Sequence, residues 1–177
     1  MIPNPLHPAI VHFPVVLVVL LPLFLGGALW AIRRGAAPRR AWAVPLAAAA
    51  ALTLGAWLAV ETGQREEERV EAVVPKAPFK AHEEAAEQFL AFSGIFLLVA
   101  AAGLAGGTVG RAARYVSVVG AIGLLAAGVR VGHTGGQLVY THGAASAYAS
   151  GAATTGEDGS GDRMTRDGRG THHDGSE

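Results

Sequence analysis

The chain has 177 residues, of which 51% are hydrophobic and 16% are charged, and its formal net charge is zero. Because soluble proteins carry roughly 25% charged residues, this composition indicates a membrane protein. The balanced charge gives no indication of nucleic-acid binding. The absence of cysteine excludes disulfides, thiolate metal sites, iron–sulfur clusters held by this chain and covalent c-type haem attachment. Nitrogen and oxygen atoms would have to hold any metal.

Four apolar runs predict four transmembrane helices, at about residues 10–32, 41–60, 89–109 and 115–131. Each is close to the roughly twenty residues that cross the hydrocarbon core. Trp42 is one of several aromatic residues near the span ends, where interfacial anchors are common. We therefore expect residues 1–148 to form one all-α, four-helix transmembrane bundle. Residues 149–177 have almost no large apolar side chains and are predicted to be a disordered polar tail.

The short connections between spans predict the orientation of the bundle. The first connection carries Arg33, Arg34, Arg39 and Arg40, and the third carries Arg111 and Arg114. The middle connection is longer and is dominated by glutamate. By the positive-inside rule, both termini are expected on the outer side of a bacterial inner membrane, facing the periplasm or the exterior.

Histidines recur at the span ends that an antiparallel bundle brings to one side of the membrane. His7 and His12 open the first span, His82 opens the third, and His133 and His142 close and follow the fourth; Glu61 ends the second. Ionisable groups at the edge of hydrocarbon are costly, so a convergent set predicts a functional site. Imidazoles beside a carboxylate point to a metal, to haem or to proton transfer.

Two of these histidines lie near the start of a helix. A helix from about Pro8 would place His12 one turn in, facing the bundle, and His7 at the cap, where contact with water explains it equally well. The positive end of the helix dipole does not stabilise a protonated imidazole at His82. This position therefore favours a neutral ring that can ligate a metal. Glu61 could orient such a ring or simply mark the water boundary.

The stretch around His133 combines a cation with several glycines. Arg130 and His133 are three residues apart and share a helix face. The neighbouring glycines permit the close approach of a backbone or a flat ligand. Arg130 could pair with Glu61 or with a carboxylate of a cofactor. For His142, a place at the helix exit is only marginally favoured over a functional role. We interpret His172 and His173 as solvated residues of the tail.

Several ordered motifs resemble the domain of unknown function 2231 family of small four-helix bacterial membrane proteins. These motifs are Leu6-His7-Pro8, Val11-His12-Phe13-Pro14, Glu61-Thr62-Gly63, His82-Glu83, Gly132-His133-Thr134-Gly135-Gly136, Leu138-Val139-Tyr140 and His142-Gly143. The resemblance covers about residues 5–145 and implies the four-helix fold. Some members are joined to Rieske or cytochrome-type modules, which implies a redox setting with a separate partner for this chain.

The sequence leaves three functions open. In the first, haem b is ligated by His12 and His82 on diagonal helices, with His133 as the alternate ligand and Arg130 offsetting the propionates, and it transfers electrons to a separate redox protein. In the second, His12, His82, His133 and Glu61, with His7 nearby, hold a bare transition-metal ion. In the third, the chain is a non-catalytic accessory subunit of a larger membrane complex. We expect an electron carrier or subunit rather than an enzyme.

Overall fold

A computed structural model describes residues 7–65 and 74–144 of the chain. Its helices are α1 (His7–Ile10), α2 (His12–Arg33), α3 (Pro38–Arg65), α4 (Lys76–Ala102) and α5 (Gly107–Tyr140). Strands are absent from the described residues. Helices α2 to α5 are each long and apolar enough to cross a membrane. The predicted all-α fold with four candidate spans is thus confirmed for these residues, whereas the tail from 149 onward lies outside them.

The four long helices form a closed ring. Each helix packs against the next in the chain, and α5 packs back against α2, so that α2 and α4 lie diagonally. The contacts run antiparallel: Trp42, near the start of α3, donates to the carbonyl of Ala100, near the end of α4, and Thr53 farther along α3 donates to the earlier carbonyl of Ser93. This is the simple up-down topology of short-looped bundles.

A seven-residue repeat of buried positions holds the ring together. In α2 the buried residues fall alternately four and three positions apart; they are Pro14, Val18, Leu21, Leu25 and Ala28. Equivalent stripes on the other three helices supply the rest of one shared apolar cluster. Side chains spaced in this way interdigitate across helices that cross at a small angle. The bundle therefore has one core along its axis.

The outer surface of the bundle is also apolar. Leu98 is 73% exposed, and Leu23 and Val119 are each 69% exposed. Buried Ser93 and Ser117 bond to carbonyls of their own helices, so the interior polar groups are satisfied without water. Large apolar side chains pointing away from the core are what lipid contact requires.

The turn between the last two helices differs from the prediction. Helix α4, the third candidate span, ends at Ala102 instead of near residue 109, and α5 begins at Gly107, whose φ of 64° belongs to the left-handed region. Arg111 and Arg114 consequently lie in the first turns of α5 rather than in a connection. The turn is itself apolar, so hydropathy does not distinguish it from a continuous helix, whereas a glycine adopts this backbone at little cost.

Trp42 also differs from its predicted place at the interface. Its side chain is fully buried, and its indole N–H bonds to Ala100 at 2.8 Å. Position 42 falls on the buried stripe of α3, and the indole packs directly against Gly103, where the fourth helix has just ended. The absence of a side chain at Gly103 makes room for the ring.

Candidate functional site

His7 is held against the end of α3. Its Nδ1 lies 2.9 Å from the carbonyl of Ala59 and 3.4 Å from Oγ1 of Thr62. The ring sits over Gly63, where an added Cβ would come within 3.2 Å of it. The half-buried imidazole is therefore fixed by a carbonyl, a hydroxyl and a glycine on one helix.

His82 is held in the same way against the end of α5. Its Nδ1 lies 3.0 Å from Oγ1 of Thr134. A Cβ added at Gly135 would come within 3.0 Å of the ring. Of the three glycines around His133, Gly135 thus allows a close approach, and the group that approaches is the imidazole of His82.

The partners of both rings define which nitrogen carries hydrogen. A carbonyl only accepts, so Nδ1 of His7 donates to Ala59. The single hydroxyl proton of Thr134 is directed at the carbonyls of its own helix, at 3.0 and 3.1 Å. Oγ1 of Thr134 therefore accepts from Nδ1 of His82. In a neutral ring this tautomer leaves Nε2 with the lone pair, which is the form of a histidine that ligates metal through Nε2.

The two histidines occupy equivalent places in two successive helical hairpins. In the first hairpin the histidine lies in α1, just before α2, and in the second it lies in the second turn of α4. Each ring meets a Thr-Gly pair near the end of the second long helix of its hairpin. Thr62-Gly63 and Thr134-Gly135 are these pairs. In the first hairpin the carbonyl of Ala59, three residues before the threonine, is a further partner of the ring. The bundle therefore presents two imidazoles, one from each hairpin, at one end, which we call the histidine end.

Both rings lie at the end of the bundle where α3 and α5 finish. A small apolar cluster covers part of this end: Val74, Leu138 and Ala144 are buried together, with Phe79 packed against them. A 34-residue α5 is about 51 Å long, which exceeds the roughly 30 Å of hydrocarbon. The histidine end can therefore lie at one boundary of the hydrocarbon.

Two histidines given a leading role by the sequence have side chains that do not face the core. His12 and His133 are both exposed. His12 is two residues from buried Pro14, which turns it away from the core-facing stripe of α2. His133 precedes the Thr-Gly pair and falls off the corresponding stripe of α5. The expectation that His12 faces the bundle is wrong, because Pro14 and the residues after it set the face of α2 that is buried.

The remaining candidates have other partners. Glu61 is half-buried and accepts from Arg65 at 2.9 Å, an ion pair one helical turn apart. Arg130 is exposed and donates to Gln88 at 3.0 Å, which links α5 to α4. An Arg130–Glu61 pair, which the sequence left open, is therefore not the pairing that forms. His142 is half-buried just after α5 ends.

The described residues contain no group of three or more histidine, aspartate or glutamate side chains placed to hold one metal ion. The four side chains predicted to bind a bare ion, His12, His82, His133 and Glu61, are accordingly not brought together. The structure instead relates His82 to His7, which the sequence left undecided between a site and a solvated cap.

A signal for His7 is present in the sequence. His7 lies seven residues before Pro14, and further steps of seven reach Leu21 and Ala28, so it continues the buried stripe of α2. His82 stands in the same relation to Phe89 and Phe96. Extending the heptad outward from the core would therefore have selected His7 and His82 and left out His12 and His133.

Comparisons of the chain with protein-family models, with curated proteins and with solved structures found no match. The resemblance to the domain of unknown function 2231 family consequently stays a hypothesis that depends on the sequence motifs alone. Any function must be inferred from the geometry of the described residues.

Proposed function

We propose that the chain is an integral membrane protein that binds haem b between His7 and His82 and carries electrons. The observation that supports this proposal most is the pair of imidazoles held on diagonal elements, each with Nδ1 donating to its own hairpin. His7 and His82 would be the two residues that hold the haem iron. Electron transfer to a separate redox partner at the outer face of a bacterial inner membrane is part of the proposal.

The number of ligands favours haem over a bare ion. A bare transition-metal ion in a protein usually takes three or four protein ligands. The described residues offer no such group. A porphyrin supplies four nitrogens itself, so two histidines complete its iron. A site built on two imidazoles therefore fits haem without any further side chain.

The surroundings of the pair fit a redox cofactor. Hydrogen-bond partners fix both rings, Ala59 and Thr62 for His7 and Thr134 for His82, and partners of this kind raise the basicity of a ligating imidazole. Arg130 lies on the same end and has several N–H groups besides the one that bonds to Gln88. We assign to Arg130 the role of offsetting propionate charge. When bound, the haem would supply one-electron chemistry, and the chain would supply orientation and burial.

The test is a haem titration of purified, detergent-solubilised protein. We expect His7→Ala and His82→Ala each to lose the six-coordinate spectrum, whereas His12→Ala and His133→Ala, as exposed controls, keep wild-type affinity. His82→Gly with added imidazole separates a lost ligand from misfolding, since free imidazole should restore the spectrum. Equal loss in all four alanine variants, or wild-type protein that holds a stoichiometric metal ion but no haem, would contradict the proposal.

A further inference from the structure

The opposite end of the bundle, which we call the arginine end, holds an open cavity. It has a volume of about 660 Å³ and lies between α2, α3 and the start of α5. Its lining includes Arg33, Arg39, Arg111 and Arg114. The cavity is a bundle length away from the histidine pair, so the proposed haem site does not account for it.

Carboxylates that could neutralise these arginines are far away along the chain. No acidic residue precedes Glu61, and none lies between Glu87 and Glu157. Within residues 7–65 and 74–144, the ion pair formed is that of Arg65 with Glu61, at the histidine end. The positive-inside rule accounts for arginines at this end but not for their convergence on one cavity. Because no carboxylate of the described residues lines the cavity, the cavity is suited to a bound anion.

Two of the guanidinium groups are held in place by the backbone. Arg114 is only 9% exposed, and its Nε donates to Gly103 at 2.8 Å. Arg39 donates through Nε to Leu104 at 3.2 Å. Both acceptors belong to the turn between α4 and α5. Because these bonds use carbonyls rather than carboxylates, they orient the cations without cancelling their charge.

Two helices begin at the same cavity. Pro38 opens α3 and Gly107 opens α5, and both residues line the cavity. Neither helix has an acidic residue in its first turn, and α5 has no side-chain cap. The first N–H groups and the dipole of each helix therefore add positive potential beside the arginines.

The rest of the lining indicates where the anion comes from. Leu29 and Ile32 of α2 and Tyr115 of α5 form an apolar wall below the arginines. These residues belong to candidate membrane spans, and Tyr115 is 48% exposed on the outer surface. An occupant with a phosphate beside the arginines and hydrocarbon along this wall satisfies both parts of the cavity. Inorganic phosphate would satisfy only the upper part.

We propose that this cavity binds the phosphate headgroup of an anionic phospholipid. Basic pockets between membrane helices at the level of the headgroups are suited to such lipids. The expected occupant is a glycerophospholipid of the leaflet that faces the arginine end, with its phosphate between Arg33, Arg39 and Arg111. This proposal requires only that the chain spans a bilayer, so it stands or falls independently of haem.

The test compares two variants that remove the same charge from the same end. Arg33→Gln/Arg111→Gln changes two cavity arginines, whereas Arg34→Gln/Arg40→Gln changes two exposed neighbours outside the lining. Native mass spectrometry of detergent-solubilised protein measures binding of phosphatidylglycerol, with phosphatidylcholine as the neutral lipid. At roughly 1 kcal/mol per arginine, we expect the cavity variant to bind about 25-fold more weakly. The control variant should remain within about threefold of wild type.

Two results would overturn the proposal. Equal weakening in both double variants would show that general surface charge, rather than the cavity, attracts the lipid. Displacement of phosphatidylglycerol by millimolar inorganic phosphate would show that the cavity is a site for the free ion. Retained thermal stability of the cavity variant in the absence of lipid confirms that any loss of binding is not a loss of folding.

Discussion

Gly135→Ala tests whether the glycine beside His82 is there to seat the ring. The new Cβ would lie 3.0 Å from Cε1 of His82, closer than an ordinary van der Waals contact. The ring must then move by a few tenths of an ångström, which lengthens its 3.0 Å bond to Thr134. Gly136 is the matched control, because nothing lies within 4 Å of an added Cβ there.

Two opposing effects determine the stability of Gly135→Ala. Replacing a helical glycine by alanine stabilises by about 1 kcal/mol. Weakening the hydrogen bond to His82 costs about 1 kcal/mol. The free energy of unfolding of Gly135→Ala should therefore stay near that of wild type, whereas Gly136→Ala should be more stable by about 1 kcal/mol. Denaturant titration in detergent measures both.

Haem affinity gives the second readout for the same pair. Disturbing the partner of a ligating histidine typically weakens binding roughly 10- to 100-fold. We expect that loss for Gly135→Ala and wild-type affinity for Gly136→Ala. If the two variants gain stability equally and bind haem equally, the contact between Gly135 and the imidazole has no role, and the reasoning from ring seating is refuted.

Three further predictions concern the hydrogen bond to Thr134, the packing at the arginine end and the topology. Thr134→Val keeps the shape of the side chain but removes the acceptor for Nδ1 of His82, so haem affinity should fall while helix content by circular dichroism is unchanged. Unchanged affinity would contradict the assignment of the hydrogen to Nδ1 of His82. Gly103→Ala should destabilise the protein by about 2–4 kcal/mol, because its Cβ would overlap the buried indole of Trp42 and break the hydrogen bond from the indole to Ala100. In the control Gly106→Ala the added Cβ meets nothing within 4 Å. Equal denaturation midpoints for the two variants would contradict this packing. An alkaline phosphatase fusion after Tyr148 should be active, as expected for an outer terminus, and an inactive fusion paired with an active cytoplasmic reporter there would reverse the orientation.

Composition and hydropathy were sufficient to predict the number and type of the long helices. Spans of about twenty apolar residues have few alternatives in a chain of this length. Composition and hydropathy were insufficient to predict where the helices end. The turn at Gly103–Gly107 is as apolar as the helices that it joins, so the break depends on backbone conformation and not on polarity.

The rotation of each helix about its own axis determines which histidines face the core. Hydropathy alone does not predict this rotation. Topology correctly suggested that the first and third long helices lie diagonally. The choice of His12 over His7 was wrong about orientation, because it assumed the phase instead of reading it from Pro14, Val18 and Leu21. The helix is interrupted at Val11, since Pro14 lacks the N–H that would bond to the carbonyl of Ile10.

Long-range hydrogen bonds were beyond the sequence alone. The pairing of His7 with Ala59 and of His82 with Thr134 joins residues more than fifty positions apart. Thr62-Gly63 and Thr134-Gly135 are too short to stand out in the sequence. Their common role is evident only from the contacts that they make with the two imidazoles. The arginine cavity likewise depends on where two separate turns meet.

The most direct test of the central claim is the visible absorption spectrum of the wild-type protein after reconstitution with hemin and reduction. Ligation by two imidazoles predicts one haem per chain, a sharp Soret band and resolved α and β bands of six-coordinate low-spin iron. These bands should be absent from the double variant His7→Ala/His82→Ala. A wild-type spectrum identical to that of free hemin, or one that survives loss of both histidines, would contradict the account.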